Sequence, residues 1–145
     1  MRPPGAKRTP PFFAIWAFVG AVILLAGQPF RSHGTPPGWT TDLKSAMAQA
    51  KQERKNVLVD FNASWCGPCQ EYKAKVFPGP EFKKSTRDMI LVDVDIDKNR
   101  DIAAAHEIGP IPHIKILDPD GKTVAEVIGY DPIALAGALA TTKSK

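Results

Sequence analysis

The sequence predicts an α/β fold, a central mixed β-sheet flanked by helices, preceded by an N-terminal transmembrane or signal helix. Three observations carry this expectation. Apolar, β-branched runs of strand length alternate with segments of helical periodicity; the last two such runs are joined by a tight turn; and one uncharged apolar run stands near the N-terminus. The 145 residues leave about a hundred beyond that run, enough for one hydrophobic core, and no repeat points to a second domain.

Arg2, Lys7 and Arg8 precede a continuous apolar run from Phe12 to Ala26, the layout of a basic segment followed by a membrane-inserted one. The run is short against the ~20 residues that cross a bilayer, but Gly27, Gln28, Pro29 and Phe30 can extend it into the interface region. As a signal peptide it has a weak cleavage site. Leu24 precedes Ala26 at the small-residue position, and the better Ser32-x-Gly34 lies far from the apolar core. We read residues 1–11 as a cytoplasmic basic segment and 12–28 as an uncleaved signal anchor, with a cleaved signal peptide as the alternative. Residues 29–38 form a Pro/Gly-rich spacer and 39–145 the folded domain. Positive charge stays inside, so the domain is expected on the extracytoplasmic, periplasmic side, membrane-anchored, or secreted if the segment is cleaved. Of the 19 Lys and Arg, three precede the apolar run, and the other 16 face 15 acidic residues. That balance offers no case for nucleic-acid binding.

The folded part is justified element by element. Asp42 to Arg54 reads as a helix, with Leu43, Met47 and Ala50 on one face and no interior Gly or Pro. Asn56 to Phe61 is an apolar strand, and Pro68 suits the first turn of a following helix, where its missing N–H costs nothing. Lys75-Val76-Phe77-Pro78-Gly79-Pro80-Glu81-Phe82 inserts a turn before a further short helix. Met89 to Asp95 alternates apolar and acidic residues as a strand does, and Asp101 to Glu107 is a short Ala-rich helix. Pro112 opens the strand His113–Leu117 rather than interrupting it. Asp118-Pro119-Asp120-Gly121 is a turn that pairs this strand with Thr123–Ile128 as a hairpin. Asp131-Pro132 then caps and starts a last helix through Leu135 and Leu139.

The chemistry lies in Trp65-Cys66-Gly67-Pro68-Cys69, which holds both cysteines of the chain. Two thiols separated by two residues can close a small disulfide ring and reopen it by exchange. As a staple such a ring is poor, because it should contribute less than the roughly 3 kcal/mol of a 15-residue loop. As half of a zinc site it lacks company: there is no second Cys pair, and His33, His106 and His113 are the histidines. A redox pair is the reading these residues favour. Cys66 falls at a strand-to-helix junction, where free backbone N–H groups and the helix dipole favour its thiolate. Asp60 is a carboxylate in an apolar strand; burial would raise its pKa and suit it to proton transfer, whereas a solvent-facing position would not.

Val59-Asp60-Phe61, Trp65-Cys66-Gly67-Pro68-Cys69, Gly109-Pro110-Ile111-Pro112 and Gly129 together resemble the thioredoxin family, in its order and over residues 39–145. The resemblance implies a thioredoxin-like fold in which Cys66 attacks, Cys69 resolves and the two form the disulfide. It implies that Asp60 is a buried acid assisting deprotonation of Cys69, and that Pro112 is a cis-proline facing the sulfurs. Trp65, Gly67, Pro68, Ile111, Pro112 and Gly129 are the substrate-binding candidates.

The chain departs from that family in three places. Asp93 stands where many thioredoxins carry a lysine near the buried acid, which puts Lys-assisted tuning of Asp60 in doubt. Ala74 replaces the usual kinking proline, and His113 replaces a threonine, either as a strand-start residue or as a pH-sensitive group near the sulfurs. The inserted turn resembles the C-terminal domain of the bacterial transmembrane disulfide reductase of the DsbD type. The expected function is thiol:disulfide exchange with protein thiol and disulfide substrates, in the reducing direction, without metal or organic cofactor and with electrons from a DsbD-type membrane donor. The alternatives are a copper carrier using Cys66, Cys69 and His113, and a redox-inactive binding module.

Overall fold

The computed structural model describes residues 34–142; the basic segment, the anchor and the spacer up to residue 33 lie outside the described residues. Among the described residues no helix is long and apolar enough to cross a membrane.

The elements follow the expected order. Helix α1 spans Leu43–Glu53, capped by the Asp42 carboxylate accepting from the Ser45 N–H and closed by Arg54 in the left-handed region. Strand β1 is Val57–Asn62, and helix α2 is Gly67–Glu71, continuing directly into a π-helical turn, Tyr72–Val76. Helix α3 (Pro80–Thr86), strand β2 (Ile90–Asp95) and helix α4 (Arg100–Ala105) come next. The hairpin strands β3 (His113–Leu117) and β4 (Thr123–Ile128) lead to helix α5 (Pro132–Thr141), which Asp131 caps through the Ala134 N–H.

The four strands lie in the order β2-β1-β3-β4. β1 and β2 are parallel, in register Asp60 to Asp93, whereas β1–β3 and β3–β4 are antiparallel. β1 is therefore an inner strand with a layer on each face, and all six of its residues are buried. Its side chains alternate between two cores. Val57, Val59 and Phe61 join Val92, Val94 and Leu117 under α1, through Leu43, Ala46 and Ala50. Leu58 faces the other way, towards Tyr72, Phe77, Phe82, Ile114, Leu135 and Leu139. Each such fully buried side chain stabilises the fold by roughly 1.5–3 kcal/mol.

On that second face, α2 widens without a proline. The Phe77 N–H reaches back five residues to the Tyr72 carbonyl at 2.9 Å, a wide turn that brings both Tyr72 and Lys73 inward. Gly79 follows because a Cβ there would sit 3.0 Å from the Val76 carbonyl oxygen. Tyr72 stacks on Phe77 and packs tilted against Tyr130, and its hydroxyl accepts the Asp131 N–H at 2.8 Å while donating to the Gly129 carbonyl at 3.3 Å.

Tyr72→Phe should therefore lower the unfolding free energy of the oxidised protein by about 1–3 kcal/mol, the cost of stranding partly buried backbone groups. Denaturant unfolding checks this, and an unchanged midpoint would refute the hydroxyl's role.

Candidate active site

The two cysteines sit where β1 hands over to α2. Cys66 is the N-cap residue, its sulfur accepting the Cys69 N–H at 3.2 Å, with Pro68 in the first turn. The two form a disulfide with Cα atoms 5.3 Å apart. Cys66 retains 4% of its surface and Cys69 none. When the pair is reduced, a Cys66 thiolate would meet that N–H and the positive end of the helix, which favour its charged form.

The sulfurs pack with Ala63, Ile96 and Ile111. Around them the chain is open: Trp65 is 65% exposed, its indole N–H donating to Asp97 Oδ2 at 2.8 Å. Pro68 is exposed and Gly67 half-buried, with nothing near a Cβ placed there. The Ile111–Pro112 peptide is cis and Pro112 is buried. Its carbonyl accepts the Gly129 N–H at 2.8 Å, and Gly129 has a φ of +84°, which other residues rarely adopt. Ile111 thus reaches the disulfide, and Gly129 is tied to the backbone of Pro112.

Asp60 is fully buried, which excludes the solvent-facing alternative. One carboxylate oxygen accepts from the Asn62 amide at 3.2 Å; the other, Oδ1, is buried with no hydrogen-bond partner among the described residues. Burial, followed by the opposing effects of Lys73 and Asp93, pushes its pKa up from 3.8 to about 7.

Asp93 stands beside the buried acid, in register with Asp60, and a lysine reaches the pair from another element. Lys73 enters from the π-helical turn and lies 2.9 Å from Asp93 Oδ1 and 3.0 Å from Asn62 Oδ1, with both charged side chains buried. The Asn62 amide also donates to Asp93, so that Asp60, Asn62, Asp93 and Lys73 form one buried network. Lys73 and Asn62 were not among the expected site residues. The signal for them was that Asp60, Asn62 and Asp93 face one side of paired strands that need a cation, and Lys73 falls four residues after Cys69, on the same helix face.

His113 is on the opposite face of the sheet from this network. Its Nε2 lies 3.1 Å from Glu126 Oε2 and its ring stands edge-on to Phe61, while Nδ1 has no partner among the described residues. Among the described residues no group of three or more His, Cys, Asp or Glu side chains is placed to hold a metal ion.

A carboxyl whose folded pKa lies above its unfolded value takes up a proton on folding, so its contribution to stability declines as pH rises from about 4 to about 7 and stays low above that. Asp60→Asn should leave stability unchanged near pH 3 and raise it progressively above pH 4, by at most about 4 kcal/mol at pH 8. Urea unfolding across that range checks this; a gain independent of pH would refute it.

Comparison with known proteins follows the same lines. A profile described as thioredoxin-like matches residues 38–119. The H-type thioredoxin of Picea mariana is 34% identical over 125 residues, covering 81% of this chain and 93% of that protein. Thioredoxin-1 of Saccharomyces cerevisiae is 34% identical over 106 residues, 69% of this chain and 89% of its own. The thiol:disulfide interchange protein DsbD of Vibrio cholerae is 26% identical over 129 residues, 74% of this chain but 22% of that much longer protein. Among solved structures, a thioredoxin from Nicotiana alata has a TM-score of 0.66 at 24% identity, over 79% of this chain and all of that one, a likeness of fold. This chain belongs to the thioredoxin-like family and is a thiol:disulfide oxidoreductase whose exchanging pair is Cys66 and Cys69.

Proposed function

We propose that this protein reduces protein disulfides on the extracytoplasmic side of a membrane, held there by residues 12–28. The observation that carries the catalytic reading is the placement of the Cys66 sulfur at the N-cap of α2, accepting the Cys69 N–H beneath an open rim formed by Trp65, Gly67, Pro68 and Ile111. The location is supported by Arg2, Lys7 and Arg8 ahead of the apolar run Phe12–Ala26.

The reduced enzyme begins with Cys66 as thiolate, which attacks one sulfur of a client disulfide and expels the other as a thiolate that takes up a proton. Cys69 then passes its proton to the ionised Asp60 carboxylate and attacks the Cys66 sulfur, breaking the mixed disulfide and expelling the second client sulfur as a thiolate that takes up the proton from Asp60. The client gains two electrons and two protons, and the enzyme is left with the Cys66–Cys69 disulfide. In this reading Trp65, Gly67, Pro68, Ile111, Pro112 and Gly129 hold the client strand beside the sulfurs. A dithiol donor of the DsbD type at the membrane returns the enzyme to its reduced state.

The reduction potential of residues 34–145 should lie near thioredoxin's, about −270 mV; a value near DsbA's, about −120 mV, would overturn the reducing direction. Cys69→Ser in the full chain should trap clients on Cys66 as mixed disulfides visible on non-reducing gels, and a further Cys66→Ala should abolish them. Alkaline phosphatase fused after Lys145 should be active in a bacterial host, and an inactive fusion would refute the topology.

A further inference from the structure

The buried network holds two carboxyl groups and one ammonium. Lys73 is committed to Asp93 at 2.9 Å and to the Asn62 carbonyl oxygen at 3.0 Å, while among the described residues Asp60 receives only the Asn62 amide and Oδ1 has no partner. One cation neutralises one buried carboxylate, so the second is inexpensive only as the neutral acid. We propose that Lys73 and Asp93 are positioning residues that act as a matched pair. By neutralising each other, they leave Asp60 as the odd carboxyl that carries the proton, and the charge at position 93 sets the pH at which Asp60 can serve Cys69.

The surroundings leave few other candidates for this role. Asp60 is faced by Asp93 from β2 and by Lys73 and Tyr72 from the π-helical turn. Ile114 opposes it from β3, and α5 presents Leu135 and Leu139 to this side. The Tyr72 hydroxyl is engaged by Gly129 and Asp131. A cleft lined in part by Asn62, Ser64, Gln70, Lys73 and Asp93 reaches the ion pair.

A pair that merely braced the fold would slow the enzyme at every pH when broken. A matched pair predicts opposite displacements. Asp93→Asn frees the Lys73 charge to favour ionised Asp60, whereas Lys73→Met leaves Asp93 to oppose it. The direction follows from Coulomb's law, and a charge within about 4–6 Å moves a carboxyl by about one pH unit or more. The Lys73→Met/Asp93→Asn double variant removes both charges and should return close to the wild-type value.

The inference rests on Asp60 being the base for Cys69, and two readouts keep the ideas separable. Titration of the Asp60 carboxyl carbon by ¹³C NMR in the oxidised full-length protein reads the pair's influence without any dithiol chemistry. The pH profile for resolution of a mixed disulfide between Cys66 and a small aromatic thiol reads the step itself. The expected result is a midpoint lower by about one pH unit or more in Asp93→Asn, higher by a similar amount in Lys73→Met, and restored in the double variant. The kinetic inflection should follow in each case. Midpoints that stay within 0.3 of wild type (roughly the error of such titrations) or that move in the same direction in both single variants would overturn the pairing. NMR midpoints that move as expected while the kinetic inflection stays fixed would leave the pairing intact and overturn the base assignment. Where Lys73→Met fails to fold, Lys73→Gln serves for the same comparison, and the Asp93→Asn arm alone must still move downward.

Discussion

A carboxyl group in a strand buried on both faces must be neutral or paired, and the active site is built around that constraint. β1 offers no solvent at any of its six positions. Its outward-alternating residues Val57, Val59 and Phe61 can be apolar without consequence, but Asp60 and Asn62 point into the layer beneath the cysteine-bearing helix. Parallel pairing with β2 in register Asp60 to Asp93 puts a second carboxylate on the same face. A single buried lysine, 2.9 Å from Asp93, is the cation of this network. Breaking such a pair by removing one partner typically costs 3–5 kcal/mol, whereas the intact pair roughly breaks even against apolar residues. Burial pushes the Asp60 pKa up to about 7, while the two charges of the pair act on it in opposite directions.

The π-helical turn is what delivers that lysine. Tyr72, Lys73 and Phe77 follow Cys69 by three, four and eight residues, on one broad helix face. The wider turn, closed by the Phe77 N–H on the Tyr72 carbonyl, accommodates all three. Tyr72 then holds the backbone at Gly129 and Asp131, and Gly129 in turn donates to the Pro112 carbonyl. One local irregularity therefore connects the charged network below the disulfide with the two loops that border it above, and it does so where Ala74 stands instead of proline.

Much of this was readable from the chain. The hairpin turn Asp118–Gly121, the capping pair Asp131-Pro132 and the alternation of Met89–Asp95 each have short-range causes, and the elements fall within a residue or two of expectation. The junction of β1 with the cysteine helix was readable for the same reason. What escaped was long-range. Lys73 lies close to Lys75 in a polar stretch that looks like a solvated helix face, and only the register of β1 against β2 reveals two buried acids needing a cation. Asp93 alternates with Leu91, Val92 and Val94 as a surface acid would, yet it is buried because α2 and its π-helical continuation cover that end of the sheet.

The same geometry gives the two sulfurs different work. Their exposure hardly differs, 4% against none, so accessibility alone does not decide which attacks first. The difference is electrostatic: the Cys66 sulfur is the N-cap atom that accepts an N–H of the helix, whereas Cys69 supplies that N–H and lies inside the first turn with no comparable donor shown to its sulfur. In the proposed exchange the helix terminus favours a charge at the first position, and Cys69 uses Asp60 as its base when it resolves the mixed disulfide. A carboxyl kept neutral by burial until about pH 7 meets that need near neutrality, because the free energy to ionise it is then small in either direction. In that proposal the order of the two exchange steps follows from one helix terminus and one buried acid.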